Sequence, residues 1–300
     1  MSLLDRDLIY VTGKGGVGKT TVAVSLAIAA ARQGRRTIVC EVAEQRHMNR
    51  LFAGSSHDRE VRLEANLYAV TLDPQDALAE WLGKQVGGAA LRVLSRSQAF
   101  QYFVAAAPGA KEMITIAKVW ELAQERRWTG SSATYDLVVV DAPASGHGVA
   151  MLRTPDTFGD IAPGGVVRRQ AFRVRDMLRD PARTGYVAVA APEEMPVTET
   201  LELQDQLLEA VGRDPDAIVV NGLYPQRFSA ADRAALTALA ERPAVVAALA
   251  ADARAREQRA HVRRLRRGAR APVLTVPYVF QDALHLEAYA VLGSRLAQRI

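Results

Sequence analysis

The 300-residue chain is 49% hydrophobic and 24% charged, the make-up of a globular protein long enough to bury a sizeable core, which excludes global disorder. Part of its net charge of +5 sits in an arginine-rich stretch, Arg254 to Arg270, which has Asp252 and Glu257 close by and no interleaved aromatic residues. That pattern reads as a solvated helix face; it disfavours nucleic acid and leaves an acidic lipid or protein surface, including peripheral membrane association, as the alternative.

Short β-branched or apolar runs alternate with helical stretches, the pattern of a parallel sheet covered on both faces. In chain order, strands are expected at Leu8–Thr12, Thr37–Val42, Leu67–Leu72, Tyr135–Asp141, Tyr186–Ala190, Ala217–Asn221 and Val273–Val276. Helices are expected at Val22–Arg32, Val197–Val211, Ala230–Glu241 and His285–Arg299. Gln75–Trp128 reads as wholly helical, and Pro155–Thr184 as loop signals around an amphipathic piece, Val166–Leu178. The expected fold is one doubly wound α/β domain over residues 1–300, a mostly parallel sheet of about seven or eight strands with helical insertions at 75–128 and 155–184 forming a layer at one end. The lone cysteine, Cys40, lies in an apolar strand run and cannot supply a disulfide framework or a multi-cysteine zinc site within one chain. The five histidines show no metal spacing. No basic n-region opens the chain and no apolar run approaches the roughly 20 residues that span a bilayer, so a cytoplasmic protein is expected.

Gly13, Lys14, Gly15, Gly16, Val17, Gly18, Lys19 and Thr20 match G-x-x-x-x-G-K-[ST] between an expected strand and an alanine-rich helix. Glycines there let backbone N–H groups turn inward around phosphate oxygens, and the helix N-terminus adds positive potential at the same place. Lys19 is expected to reach the β- and γ-phosphates of ATP, Thr20 to give Mg²⁺ a hydroxyl ligand, and Thr21 to bond near the α-phosphate. The strand Tyr135–Asp141 ends in an acid suited to holding Mg²⁺, directly or through water, and Gly146 beyond it frees a backbone N–H for the γ-phosphate.

With its second lysine, Lys14, the loop GKGGVGKT resembles the deviant P-loop ATPases. The resemblance implies a nucleotide-sandwich dimer in which Lys14 reaches the partner's nucleotide, much as an arginine finger does; the plain alternative is an exposed lysine. Residues 141–148, DAPASGHG, resemble the switch II motif of the arsenite-pump and tail-anchored-protein-targeting ATPases. The same family is suggested by Leu72-Asp73-Pro74, by Ala107-Pro108-Gly109 with Glu112, by Pro192-Glu193-Glu194-Met195 with Glu199, and by Val219-Val220-Asn221 with Pro225. By resemblance Asn221 binds adenine, which suits an amide's paired donor and acceptor; a turn-forming Asn is the alternative.

Departures from the family are equally specific. The usual water-orienting Asp after the second strand aligns with Ala43, leaving Glu44, or Glu41 in a register shifted by two, as the replacement, or no such group at all. The zinc-joined dimer of the family's targeting members cannot be built from the single cysteine, and the missing thiols disfavour arsenite transport. Met113, Met151 and Met177 are scattered, which reads as core filler before it reads as a groove for hydrophobic clients. His147 is expected to steady the switch II turn.

The expected function is thus an ATP-hydrolysing switch, with Lys14, Lys19, Glu44 and Asp141 catalytic, working as a homodimer or a heterodimer with a related ATPase and serving a protein client. A hydrolytically weak partner subunit and a positional ATPase of the partition or septum-site kind are the rivals.

Overall fold

The computed structural model describes residues 2–42, 60–86, 109–128, 134–162 and 164–300. Eight strands, β1 (Leu8–Gly13), β2 (Thr37–Val42), β3 (Val61–Glu64), β4 (Leu67–Leu72), β5 (Leu137–Asp141), β6 (Thr184–Ala190), β7 (Ala217–Leu223) and β8 (Val273–Pro277), form one sheet in the order β3-β4-β2-β5-β1-β6-β7-β8. Every adjacent pair is parallel except β3 with β4. β1, β2, β5 and β6 are buried along their whole length, as strands covered on both faces must be, which explains their unbroken apolar runs.

Nine α-helices are described: α1 (Lys19–Arg32), α2 (Pro74–Val86), α3 (Ala110–Leu122), α4 (Ser145–Ile161), α5 (Gly165–Arg179), α6 (Glu194–Val211), α7 (Ala230–Thr237), α8 (Pro243–Gly268) and α9 (Leu286–Ala297). The alternation of β-strand side chains divides the core in two. On one face Ile9, Val11, Val39 and Val139 pack against α1 and α9; on the other Tyr10, Cys40, Val140 and Tyr186 pack against residues of α3, α4, α5, α6 and α8. Cys40 is fully buried in β2, and Met113, Met151 and Met177 are core residues. No described helix is long and apolar enough to cross a membrane.

Several expectations need correction. Gln75–Trp128 is not wholly helical: α3 stops at Leu122 and residues 123–128 form turns and bends, while 87–108 lie outside the described residues. Pro155 does not begin a loop, because it lies inside α4. A proline has no N–H for the Met151 carbonyl, and the Thr154 hydroxyl donates to that carbonyl instead, at 2.8 Å. The break falls later, at Gly164 and Gly165, both at positive φ, and Thr184 already belongs to β6. Helix α7 ends at Thr237, short of Glu241.

A buried charged network fastens the stems of the helical layer to the β3-β4 edge. Lys118 pairs with Glu80 of α2 and with Glu121; Arg127 pairs with Glu121 at 2.7 Å and with Glu60 at 2.5 Å; the Tyr135 hydroxyl donates to Glu60 at 2.6 Å. Glu121 also accepts from the Trp128 backbone N–H.

Candidate functional site

The loop from Gly13 to Gly18 joins the carboxyl end of β1 to the first turn of α1, in the middle of the sheet. Val17 is buried in the α1-side core and anchors the loop, while Gly15 and Gly16 face solvent. Gly18 has no acceptable substitute: its φ is +89°, and a Cβ there would lie 2.0 Å from Asn221 Nδ2. Gly13 is as constrained, since a Cβ would meet the Val189 carbonyl oxygen at 2.3 Å.

Four expected residues converge on this loop. Lys19 is 7% exposed and its ammonium donates to the Lys14 carbonyl at 3.0 Å, across the loop. Burial pushes the Lys19 pKa below the usual lysine value, opposed by the Asp141 carboxylate. The Thr20 hydroxyl donates to Asp141 Oδ2 at 2.6 Å, bringing the end of β5 to the start of α1. Asn221, in the second half of β7, donates through Nδ2 to the Val17 carbonyl at 3.0 Å. Thr21 joins Asn221 in lining a cleft of about 300 Å³ beside the loop, together with Gly16, Val17, Pro192 and Tyr278.

Lys14 is half-buried and points sideways, its ammonium 2.5 Å from Glu199 Oε1 on α6. Gly146 sits exposed in the first turn of α4, five residues beyond the β5 acid, where the first N–H groups of a helix carry positive potential. His147, beside it, lies 3.6 Å from Glu112 of α3 and so touches a second helix. Glu41 is buried at the end of β2 and accepts from the Thr71 hydroxyl at 3.1 Å. Ala43 and Glu44, like Ala107 and Pro108, lie outside the described residues.

Sequence reading did not single out Tyr278 and Arg254 as neighbours of this cleft. Arg254 stacks over Tyr224 at 4.8 Å and approaches Glu193 at 3.9 Å. Other members of the arginine-rich stretch are engaged within the chain: Arg256 pairs with Asp252, Arg264 donates to Thr198, and Arg270 pairs with Asp205 and Asp214. An aromatic residue within reach of Arg254 comes from 30 positions upstream in sequence, so the absence of interleaved aromatics was a poor guide to its surroundings.

The donor set fits Mg²⁺·ATP. A loop of small residues with no atom within 4 Å of a Cβ built on Gly15 or Gly16 leaves room for phosphate, a lysine stands at its base, and a hydroxyl and a carboxylate supply the oxygen donors a hard cation takes. Among the described residues no cluster of three or more His, Cys, Asp or Glu is placed to hold a metal by itself, so the protein's part would be a few oxygens beside those of a substrate.

The family model of anion-transporting ATPases matches residues 6–163 and 166–240. The chain belongs to the anion-transporting ATPase family. It is an ATPase with the doubly wound, mostly parallel sheet of P-loop proteins. It is 30% identical over 234 residues to the ATPase BagA of Mycobacterium tuberculosis (strain H37Rv), an alignment covering 76% of this chain and 68% of that protein. It is 26% identical over 240 residues to an arsenical pump-driving ATPase of Acidiphilium multivorum, covering 73% of this chain and 40% of that longer protein.

Proposed function

We propose that this member of the anion-transporting ATPase family hydrolyses Mg²⁺·ATP in the cytoplasm as a nucleotide-sandwich dimer, using the chemical step to drive a change of shape passed to a protein client. The observation that carries the reading is the convergence of Lys19 and Thr20, Asp141 and Asn221, from three separated stretches of chain, on one glycine loop.

In this reading the backbone of Gly13 to Gly18 and the Lys19 ammonium hold the β- and γ-phosphates, and Asn221 with Thr21 lines the cleft for the base and α-phosphate side. Thr20 and Asp141 would hold Mg²⁺, which when bound neutralises phosphate charge. Lys14 would leave Glu199 and stabilise transition-state charge on the partner's nucleotide. Gly146, at the start of α4, would sense the γ-phosphate and move α4, which packs on α3, α5 and α6. Asp141 of β5 and the first turn of α4 are joined by only three residues, so a shift at the phosphate passes to the helical layer over a short lever.

Steady-state phosphate release by the purified protein, beside Lys14→Ala and Lys19→Ala, tests this. Activity lost in both variants, with nucleotide binding lost only in Lys19→Ala, is expected. Nucleotide binding without turnover by the unaltered protein, with turnover appearing on mixing with a related subunit, would replace the active dimer by a partner-subunit role.

A further inference from the structure

We propose that Glu41 is the second acid of the metal site, holding through water the Mg²⁺ that Thr20 and Asp141 would bind; the assignment rests on the Mg²⁺·ATP reading above. Strands β2 and β5 are adjacent and parallel, and Glu41 is level with Asp141 in their register. Residues level on neighbouring strands project to the same face, about 4.8 Å apart along the hydrogen-bonding direction. The flanking residues fix which face that is. Cys40 and Val140 belong to the core away from α1, whereas Val39 and Val139 belong to the α1 side. By alternation Glu41 and Asp141 therefore both face α1, the helix whose Thr20 hydroxyl donates to Asp141.

The two acids are 2% and 5% exposed. Glu41 is steadied from its other flank, where β4 runs beside β2 and Thr71, level with Glu41, donates to Oε2. A carboxylate so placed stands beside Asp141 without competing for the Thr20 hydroxyl. Mg²⁺ dehydrates reluctantly and keeps several waters when one or two protein oxygens bind it, and those waters need acceptors. An acid one strand further out, locked by a threonine, is such an acceptor, and groups of this kind set the orientation and affinity of a metal they do not touch. This gives a physical role to an acid in β2 of a chain that has Ala43, with no polar side-chain atom, at the family's water-orienting position.

The test is retention of Mn²⁺ by the full chain in the presence of a non-hydrolysable ATP analogue, followed by the electron paramagnetic resonance of free Mn²⁺, with analogue affinity in EDTA measured separately. Glu41→Gln, which keeps shape and removes charge, is expected to weaken Mn²⁺ retention about 10-fold or more while leaving metal-free analogue affinity unchanged. Thr71→Val, which removes one hydrogen bond from the carboxylate and keeps its charge, is expected to weaken retention in the same direction by less. An unchanged Mn²⁺ curve in a folded Glu41→Gln variant overturns the proposal; should that variant not fold, an unchanged curve in Thr71→Val overturns it. An unaltered chain that holds the analogue neither with nor without Mn²⁺ defeats the Mg²⁺·ATP reading itself, and this assignment with it.

Discussion

Lys14 of the phosphate loop and Glu199 of α6 form an ion pair within one chain, 185 residues apart in sequence. A lysine tied down in cis cannot serve a neighbouring active site, so dimer closure in the proposed mechanism must break this pair. Both side chains are about a third exposed, and solvent screening limits such a pair to under about 1 kcal/mol. Glu199→Gln should therefore shift the ATP-dependent monomer–dimer equilibrium toward dimer, by no more than about fivefold for each pair that closure breaks, or roughly thirtyfold when both protomers release theirs. Sedimentation velocity across a concentration series measures this. A shift toward monomer would mean that Glu199 works inside the dimer, not against it.

The loop glycines should differ sharply in tolerance. Gly18→Ala forces an L-residue to φ +89° and drives its methyl into Asn221, so a loss of roughly 1–3 kcal/mol or more and failed nucleotide binding are expected. Gly15→Ala meets nothing within 4 Å and has no positive φ, so its melting temperature should stay within a degree or two of the unaltered protein. Equal destabilisation by the two would contradict the close packing of Asn221 on the loop.

Lys19 should be a stability liability at neutral pH. Its pKa is lowered on folding because burial disfavours the ammonium, so the folded state binds the proton less well than the unfolded one. The stability deficit is full below the folded pKa and disappears as pH rises from that value through the ordinary lysine value of 10.5. Lys19→Met is expected to abolish nucleotide binding yet to unfold at the same or higher denaturant concentration at pH 7, with any advantage shrinking toward pH 10.5. Chemical denaturation of the nucleotide-free proteins at several pH values checks both sign and window.

Cys40 should be silent toward thiol reagents in the folded chain. Burial pushes its thiol pKa up, and the carboxylate of Glu60 acts in the same direction. Labelling by a chromogenic disulfide should therefore follow the unfolding rate and reach one thiol per chain only in denaturant. Rapid labelling under native conditions would require β2 to open locally.

The sequence made some of this plain and concealed the rest for physical reasons. The phosphate loop was legible because its chemistry is contiguous: a strand, eight residues of fixed pattern and a helix. The central strands β1, β2, β5 and β6 were legible as unbroken apolar runs because both of their faces are covered. Strand β3, with Arg62 and Glu64 and an irregular antiparallel pairing at the sheet edge, carries no such run and was not anticipated. Pro155 was misread because its local meaning, a missing N–H, is offset by the hydroxyl next to it. The Lys14–Glu199 pair and the approach of Arg254 to the cleft are products of topology: β1, β6 and β7 lie side by side, and the segments that follow them meet at one end of the sheet. The motif resemblance marked Glu199 without revealing its partner.

The buried charges around Arg127 also constrain how the chain can change. Glu60, Glu80, Lys118, Glu121 and Arg127 come from both sides of the helical layer's stems, and losing Glu121 or Arg127, the two least exposed, strands a buried partner at about 3–5 kcal/mol. A chimera that exchanges only residues 87–108 with a relative keeps all five native charges. One cut at 75 and 128 imports four of them as a foreign set against a resident Glu60. Such a graft would have to carry matched charges, so the segment bounded by α2 and α3 is the natural unit for recombination between relatives, and single substitutions within its stems are the changes this lineage can least accept.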